Sequence, residues 1–226
     1  MIKEYPEIGG RTFIVGDLHG CFDEFHAELE KVNFDFSSDR VFSVGDLTDR
    51  GVDNMECLRL LNMPWFHAVR GNHDDLIVGT FVGSRAHQEC WLMNGGDWAV
   101  KLDSDDKLEL VDVLLPILQE LPYVIKVGNI AIVHAECQLS CIDDVELDDA
   151  QSLTWGRNII NRGIAGIVGG AEHIVVGHSV VPKPVRIGNH VFIDTGAVFG
   201  TNCNTGNDGY LTLININDVP NVKEAE

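Results

Sequence analysis

Five short stretches of this chain carry side chains able to act together on a charged substrate. They are Asp17 and His19 in GDLHG, Asp46, Asp49 and Arg50 in GDLTDRG, Asn72, His73 and Asp74 in GNHDD, His134 in HAE, and His178 in GHS. Singly, each reads as a polar turn or an ordinary strand end. Together, the carboxylates of Asp17 and Asp46, the imidazoles of His19, His134 and His178 and the amide of Asn72 make a mixed nitrogen and oxygen donor set without thiolates. Such a set suits two divalent ions such as manganese, iron or zinc, not a structural zinc bound by cysteines. Two-metal sites hold their ions about 3.5–4 Å apart, commonly across one carboxylate, and Asp46 on the middle stretch fits that place.

The elements that would position these residues repeat a pattern. The apolar runs TFIV (12–15), RVFSV (40–44) and WFHAV (65–69) are each followed by a glycine with polar residues and then a segment of helical spacing. Phe22, Phe25, Leu29 and Val32 recur helically within 21–32, and Met55, Leu58 and Leu61 share a face within 54–62. These are crossovers suited to adjacent parallel strands, whose carboxyl ends collect ligands in open α/β sheets. Residues 74–121 read as mainly helical, broken at Gly95-Gly96 and kinked or restarted at Pro116. After Pro122, the runs YVIKV (123–127), AIVH (131–134), HIVVGH (173–178), HVFIDTG (190–196) and GYLTLINI (209–216) predict a second sheet.

With 226 residues, 45% of them hydrophobic, one domain over 1–226 is expected. The net charge of −19 disfavours a nucleic-acid backbone or an anionic membrane as partner. A phosphorylated substrate would need a local cationic pocket. No secretory leader or long apolar span is visible, so a cytoplasmic location with six reduced cysteines is expected. The acidic stretch 136–151 reads as a solvated loop, and His26, His67, His87, His173 and His190 as structural or surface groups.

GDLHGCF (16–22), SVGDLTDRG (43–51), FHAVRGNHD (66–74), HAE (134–136) and GHS (177–179) resemble the phosphoprotein phosphatases among the calcineurin-like metallophosphoesterases, nearest to the bacteriophage lambda phosphatase group. NMECLRLLNMPWF (54–66), WLMNGGDW (91–98), TWGRNI (154–159) and IDTGAVFG (193–200) extend the likeness over residues 11–216. The resemblance implies an α/β metallophosphoesterase fold: two mixed β-sheets packed as a sandwich, flanked by helices, with the active site at strand C-terminal ends. It implies one ion on Asp17, His19 and Asp46, and a second on Asp46, Asn72, His134 and His178. It pairs Asp49 with His73 as general acid, and gives the phosphoryl oxygens to Arg50 and Arg157, with Asn72 and His73. Guanidinium donors suit those oxygens because they stay charged and reach two acceptors in one plane. Two divalent ions per chain are expected, manganese first, with iron, zinc, nickel and cobalt as alternatives. The implied activity is hydrolysis of phosphoserine and phosphothreonine in proteins, with phosphotyrosine and small phosphate esters as further substrates, by direct attack of a metal-bridging hydroxide.

One position departs from that pattern. Asp74 gives GNHD where the protein phosphatases usually carry Glu, and GNHD is familiar from bacterial diadenosine tetraphosphatases of the same superfamily. A dinucleoside polyphosphate hydrolase or a cyclic phosphodiesterase on the same metals is therefore the competing reading. Asp49 speaks for the phosphatase, because those dinucleotide enzymes carry Ala there. A third reading is an inactive domain that binds phosphoproteins, although every expected ligand, both arginines and the acid are present.

Overall fold

The computed structural model describes residues 1–163, 166–203 and 205–225. Among them, ten strands pair into two mixed sheets: β1 (Ile2–Tyr5), β2 (Thr12–Val15), β3 (Arg40–Ser43), β4 (Phe66–Ala68), β5 (Val124–Val127), β6 (Ile130–Val133), β7 (His173–Val176), β8 (Val185–Ile187), β9 (His190–Phe192) and β10 (Leu213–Asn215). One sheet runs β10-β2-β3-β4 and the other β1-β5-β6-β7-β9-β8. Their facing sides bury a layer that includes Ile14, Phe42 and Val44 from the first and Ile125, Ile132, Val175 and Val191 from the second. Strands apolar on both faces are what a sandwich with helices outside requires.

Helices α1 (Phe22–Lys31), α2 (Asn54–Arg59), α3 (Asn72–Phe81), α4 (Arg85–Met93), α5 (Ser104–Glu109) and α6 (Leu115–Glu120) follow. Phe25, Leu29, Leu58, Ile77, Trp91 and Leu118 from these helices pack with Phe13, Val41 and Phe66 on the outer face of the first sheet. Leu153 of α7 (Ala150–Trp155) and Ile159 of α8 (Asn158–Arg162) pack on the outer face of the second. As expected, α1 and α2 join strands that pair in parallel. A π-helical turn at Leu110–Leu114 precedes α6, whose first turn contains Pro116. The wider turn runs directly into α6 and accommodates a proline, which cannot donate to the turn before it.

The expected division of the halves between the sheets fails at both chain ends. β1 pairs in parallel with β5 of the second sheet, and β10 pairs antiparallel with β2 of the first. The run 209–216 narrows to Leu213–Asn215, with Tyr210 half-exposed outside the ladder. β1 and β8 are edge strands whose middle residues are partly exposed, so neither presents an apolar signature.

His67 lies between Tyr5 and Phe42, at ring centroid distances of 4.5 and 5.3 Å. Burial holds its imidazole down to about 4, and burial does the same to His190. Both rings are neutral when folded and take up a proton below about pH 6.5 when unfolded. Stability should therefore be full above that pH and fall as pH drops toward 4. The His67→Phe variant should lose less Tm than the parent on acidification from about pH 7 to about 4.5; equal losses would assign the acid lability to other groups.

Candidate metal centre

The carboxyl ends of β2, β3, β4, β6 and β7 open onto one region. Backbone conformation does much of the gathering. His19, Asp46, Asp49, Arg50 and His178 all turn through positive φ, at 44°, 52°, 77°, 71° and 61°. Such conformations cost about 1–3 kcal/mol each in non-glycine residues and persist only where surrounding contacts enforce them. Here the N–H groups of Leu18 and His19 both donate to the Asp46 carbonyl, and Gly20 donates to Leu47. The buried Asp74 carboxylate accepts from the N–H groups of Gly71 and Asp46 at 2.8 and 3.0 Å. Two glycines press against the carboxylates: a Cβ on Gly71 would meet Asp46 Oδ1 at 2.2 Å, and one on Gly177 would meet Asp17 Oδ1 at 2.0 Å.

Asp46 is at the centre, 2% exposed. Its Oδ1 accepts the His73 N–H in the first turn of α3 at 2.9 Å, where the helix end favours negative charge. Its Oδ2 faces the Nε2 atoms of His134, His19 and His73 at 3.4, 3.6 and 4.0 Å. His19 and His134 donate from Nδ1 to the carbonyls of Thr48 and Val44 at 2.7 and 2.8 Å, which leaves each Nε2 as a lone pair. His134 Nε2 also faces Asn72 Oδ1 at 2.9 Å. Three acceptor atoms thus converge with no hydrogen among them. His178 Nδ1 lies 3.2 Å from His134 Nε2, and among the described residues the buried Nε2 of His178 has no hydrogen-bond partner. Acceptors crowded in this way repel one another unless a cation sits among them, so the donor set fits divalent ions. Ligand atoms of Asp46, His134 and His178 lie within 4.8 Å of one another, as do those of His19, Asp46 and His73.

The charges agree with that fit. Burial, Asp194 and Asp46 push Asp17 well above the usual carboxylate range. Burial and the Asp46 charge raise Asp74 to about 7, and burial raises Asp194 to about 6. Burial lowers His19 to about 3 and, with His134 and Arg157 beside it, His178 to about 2. His73 moves the other way: burial opposes its charge, but Asp46 and the hydrogen-bonded Asp49 outweigh burial.

Each expected residue can now be placed. Asp17 differs from its expected grouping, since both its oxygens accept the His178 N–H at 3.1 Å and His73 shares the cluster with His19 and Asp46. His73 donates from Nδ1 to Asp49 Oδ2 at 2.5 Å. Arg50, exposed at the rim, donates to Nε2 of His19 at 2.6 Å and places a second guanidinium nitrogen 2.8 Å from Nε2 of His73. Arg157 donates to the His178 carbonyl at 3.0 Å and to Ser179 Oγ at 3.3 Å.

Sequence reasoning missed four contributors. Glu136 is not part of a solvated loop; it is fully buried and accepts from the N–H groups of Ile159 and Ile160, fixing the start of α8 beside Arg157. Asp194 lies just past β9, a strand-end signal like the others. Trp91 and Trp98 both donate to Asp49, at 2.9 and 2.7 Å, and their motif carries no local sign of that target.

Residues 10–196 match the calcineurin-like phosphoesterase family. A serine/threonine-protein phosphatase 1 of Salmonella typhimurium is 36% identical over 210 residues, 91% of each chain. A symmetrical bis(5'-nucleosyl)-tetraphosphatase of Actinobacillus pleuropneumoniae is 45% identical over 74 residues, 32% of this chain and 27% of its own. In structure, a protein carrying a provisional diadenosine tetraphosphatase label aligns over 95% of this chain and 93% of its own, with a TM-score of 0.65 at 22% identity.

A Gly177→Ala substitution should drive the Asp17 carboxylate from its position. The expected result is loss of metal from the purified protein by elemental analysis, whereas a Gly9→Ala control, with open space around its Cβ, should retain it.

Proposed function

The chain belongs to the calcineurin-like phosphoesterases, and from that membership we propose that it is a metal-dependent phosphomonoesterase acting on phosphoserine, phosphothreonine and phosphotyrosine in proteins. Asp17, His19 and Asp46 would hold one divalent ion, and Asp46, Asn72, His134 and His178 a second, with manganese the preferred metal. Bound ions of this kind activate water near neutral pH and offset charge on phosphoryl oxygens.

The chain's own residues supply the rest. Arg50 and Arg157 offer planar, permanently charged donors to the phosphoryl oxygens, in a protein whose net charge of −19 would otherwise repel an anion. Asn72 and His73 face the same space. His73 is the general acid. Its Nδ1 proton is committed to Asp49, so Nε2 is the atom that delivers a proton to the leaving oxygen. Asp49 is the observation that carries the phosphatase reading, because this pair supports expulsion of a poor alkoxide or phenoxide. The phosphatase relative also spans the chain, whereas the tetraphosphatase likeness covers a third of it. Among the described residues no helix is long and apolar enough to cross a membrane.

Dinucleoside polyphosphate hydrolysis is the competing reading, because those relatives share the metal-binding motifs. After metal stripping and manganese readdition, phosphate release from a phosphoserine peptide should return and exceed nucleotide release from diadenosine tetraphosphate; the reverse order would move the chain to the nucleotide hydrolases. His73→Asn should lower turnover of phenyl phosphate by about 10²–10⁴-fold while bound metal changes little, and unchanged turnover would remove His73 from the chemistry.

A further inference from the structure

The stretch WLMNGGDW (91–98) has no part in the mechanism above, yet both its tryptophans end on the carboxylate of the general-acid pair. Asp49 is fully buried. Its Oδ2 accepts from His73 Nδ1 at 2.5 Å and Oδ1 from Trp98 Nε1 at 2.7 Å, while Trp91 Nε1 donates across both oxygens, 2.9 Å from Oδ1 and 3.0 Å from Oδ2. Among the described residues no Lys or Arg donates to it. We propose that Trp91 and Trp98 are positioning residues, whose indole N–H groups, Trp98 on Oδ1 and Trp91 across both oxygens, clamp the Asp49 carboxylate so that Oδ2 fixes the plane and tautomer of His73. The proposal rests on the reading of His73 as general acid.

Donor chemistry makes this choice of residue specific. An indole nitrogen donates and cannot accept, so Oδ1 is held as an acceptor and the carboxylate cannot swing to present another face. With the carboxylate plane fixed by donors on both oxygens, Oδ2 keeps one acceptor direction for the imidazole, and the ring can meet it only through a protonated Nδ1. His73 Nε2 is thereby aimed toward Arg50 and Asp46, at 2.8 and 4.0 Å. A lysine or arginine in place of the indoles would also donate, but would add a second charge beside the imidazole and oppose its proton.

The motif between the tryptophans is built for this convergence. Gly95 sits at φ 104°, and a Cβ there would meet the Arg50 backbone nitrogen at 2.7 Å. A Cβ on Gly96 would strike the Trp91 ring at 2.5 Å. The two glycines let the chain leave α4, pass over the face of Trp91 and return Trp98 edge-on to it, with ring centroids 6.0 Å apart at 89°. A merely apolar role would not need both indole nitrogens on one carboxylate.

The test uses full-length, zinc-loaded protein with Trp98→Phe, Trp91→Phe and, as an isostere lacking the N–H, 3-benzothienylalanine at position 98. Turnover of phenyl phosphate, which needs protonation of its leaving oxygen, should fall about tenfold or more, and that of 4-nitrophenyl phosphate by less than about threefold. KM and zinc content should hold. In parallel, the downfield proton resonance of His73 Nδ1 should move in every variant, and both indole N–H signals should move in Asp49→Asn. Equal losses on the two esters, or an Nδ1 resonance unmoved by the isostere, would overturn the proposal and leave the tryptophans as packing. If His73→Asn itself shows no leaving-group-dependent loss, the general-acid assignment fails, and the resonance still decides whether the indoles hold the pair.

Discussion

A single buried carboxylate organises this molecule. Asp46 lies where charge is expensive unless matched by donors or cations. One oxygen is satisfied by the start of α3; the other faces three imidazoles that come from β2, α3 and β6. Because these groups arrive from separate strands of two sheets, Asp46 can be balanced only once the sandwich has closed. Neighbouring Asp17, Asp74 and Asp194 are buried as well, and burial together with the Asp46 charge raises the proton affinity of each. Divalent ions resolve the same conflict, so the demand for metal and the demand for the fold coincide.

The strained loops follow from that constraint. Five site residues sit at positive φ because a strand that simply continued would carry its polar side chains past the centre. Asp74 is part of the restraint. Its oxygens are turned to the backbone of Gly71 and Asp46, beneath the centre rather than toward the cleft. The exchange of Glu for Asp at this place in GNHD therefore bears on how the Asp46 loop is held, and it is a weak guide to substrate.

Much of this was legible in the sequence, for physical reasons. Runs such as TFIV and RVFSV are apolar on both faces because both faces of their strands are covered, and the crossovers of α1 and α2 carry a helical period. The ligand candidates stand out because polar residues recur after successive strands. What stayed hidden depends on distant partners. β1 and β10 owe their sheets to neighbours more than a hundred residues away. Glu136 looked solvated among acidic neighbours, and only the start of α8 makes it a buried acceptor. Trp91 and Trp98 looked apolar, because their shared polar target, Asp49, lies more than forty residues upstream.

The most direct test of this account is a manganese-soaked crystal measured for anomalous scattering. Two peaks on either side of Asp46, about 3.5–4 Å apart, one beside His19 and one beside Asn72, His134 and His178, are the predicted result. A single peak, or peaks away from the Asp46 carboxylate, would contradict the claim that this residue holds two ions.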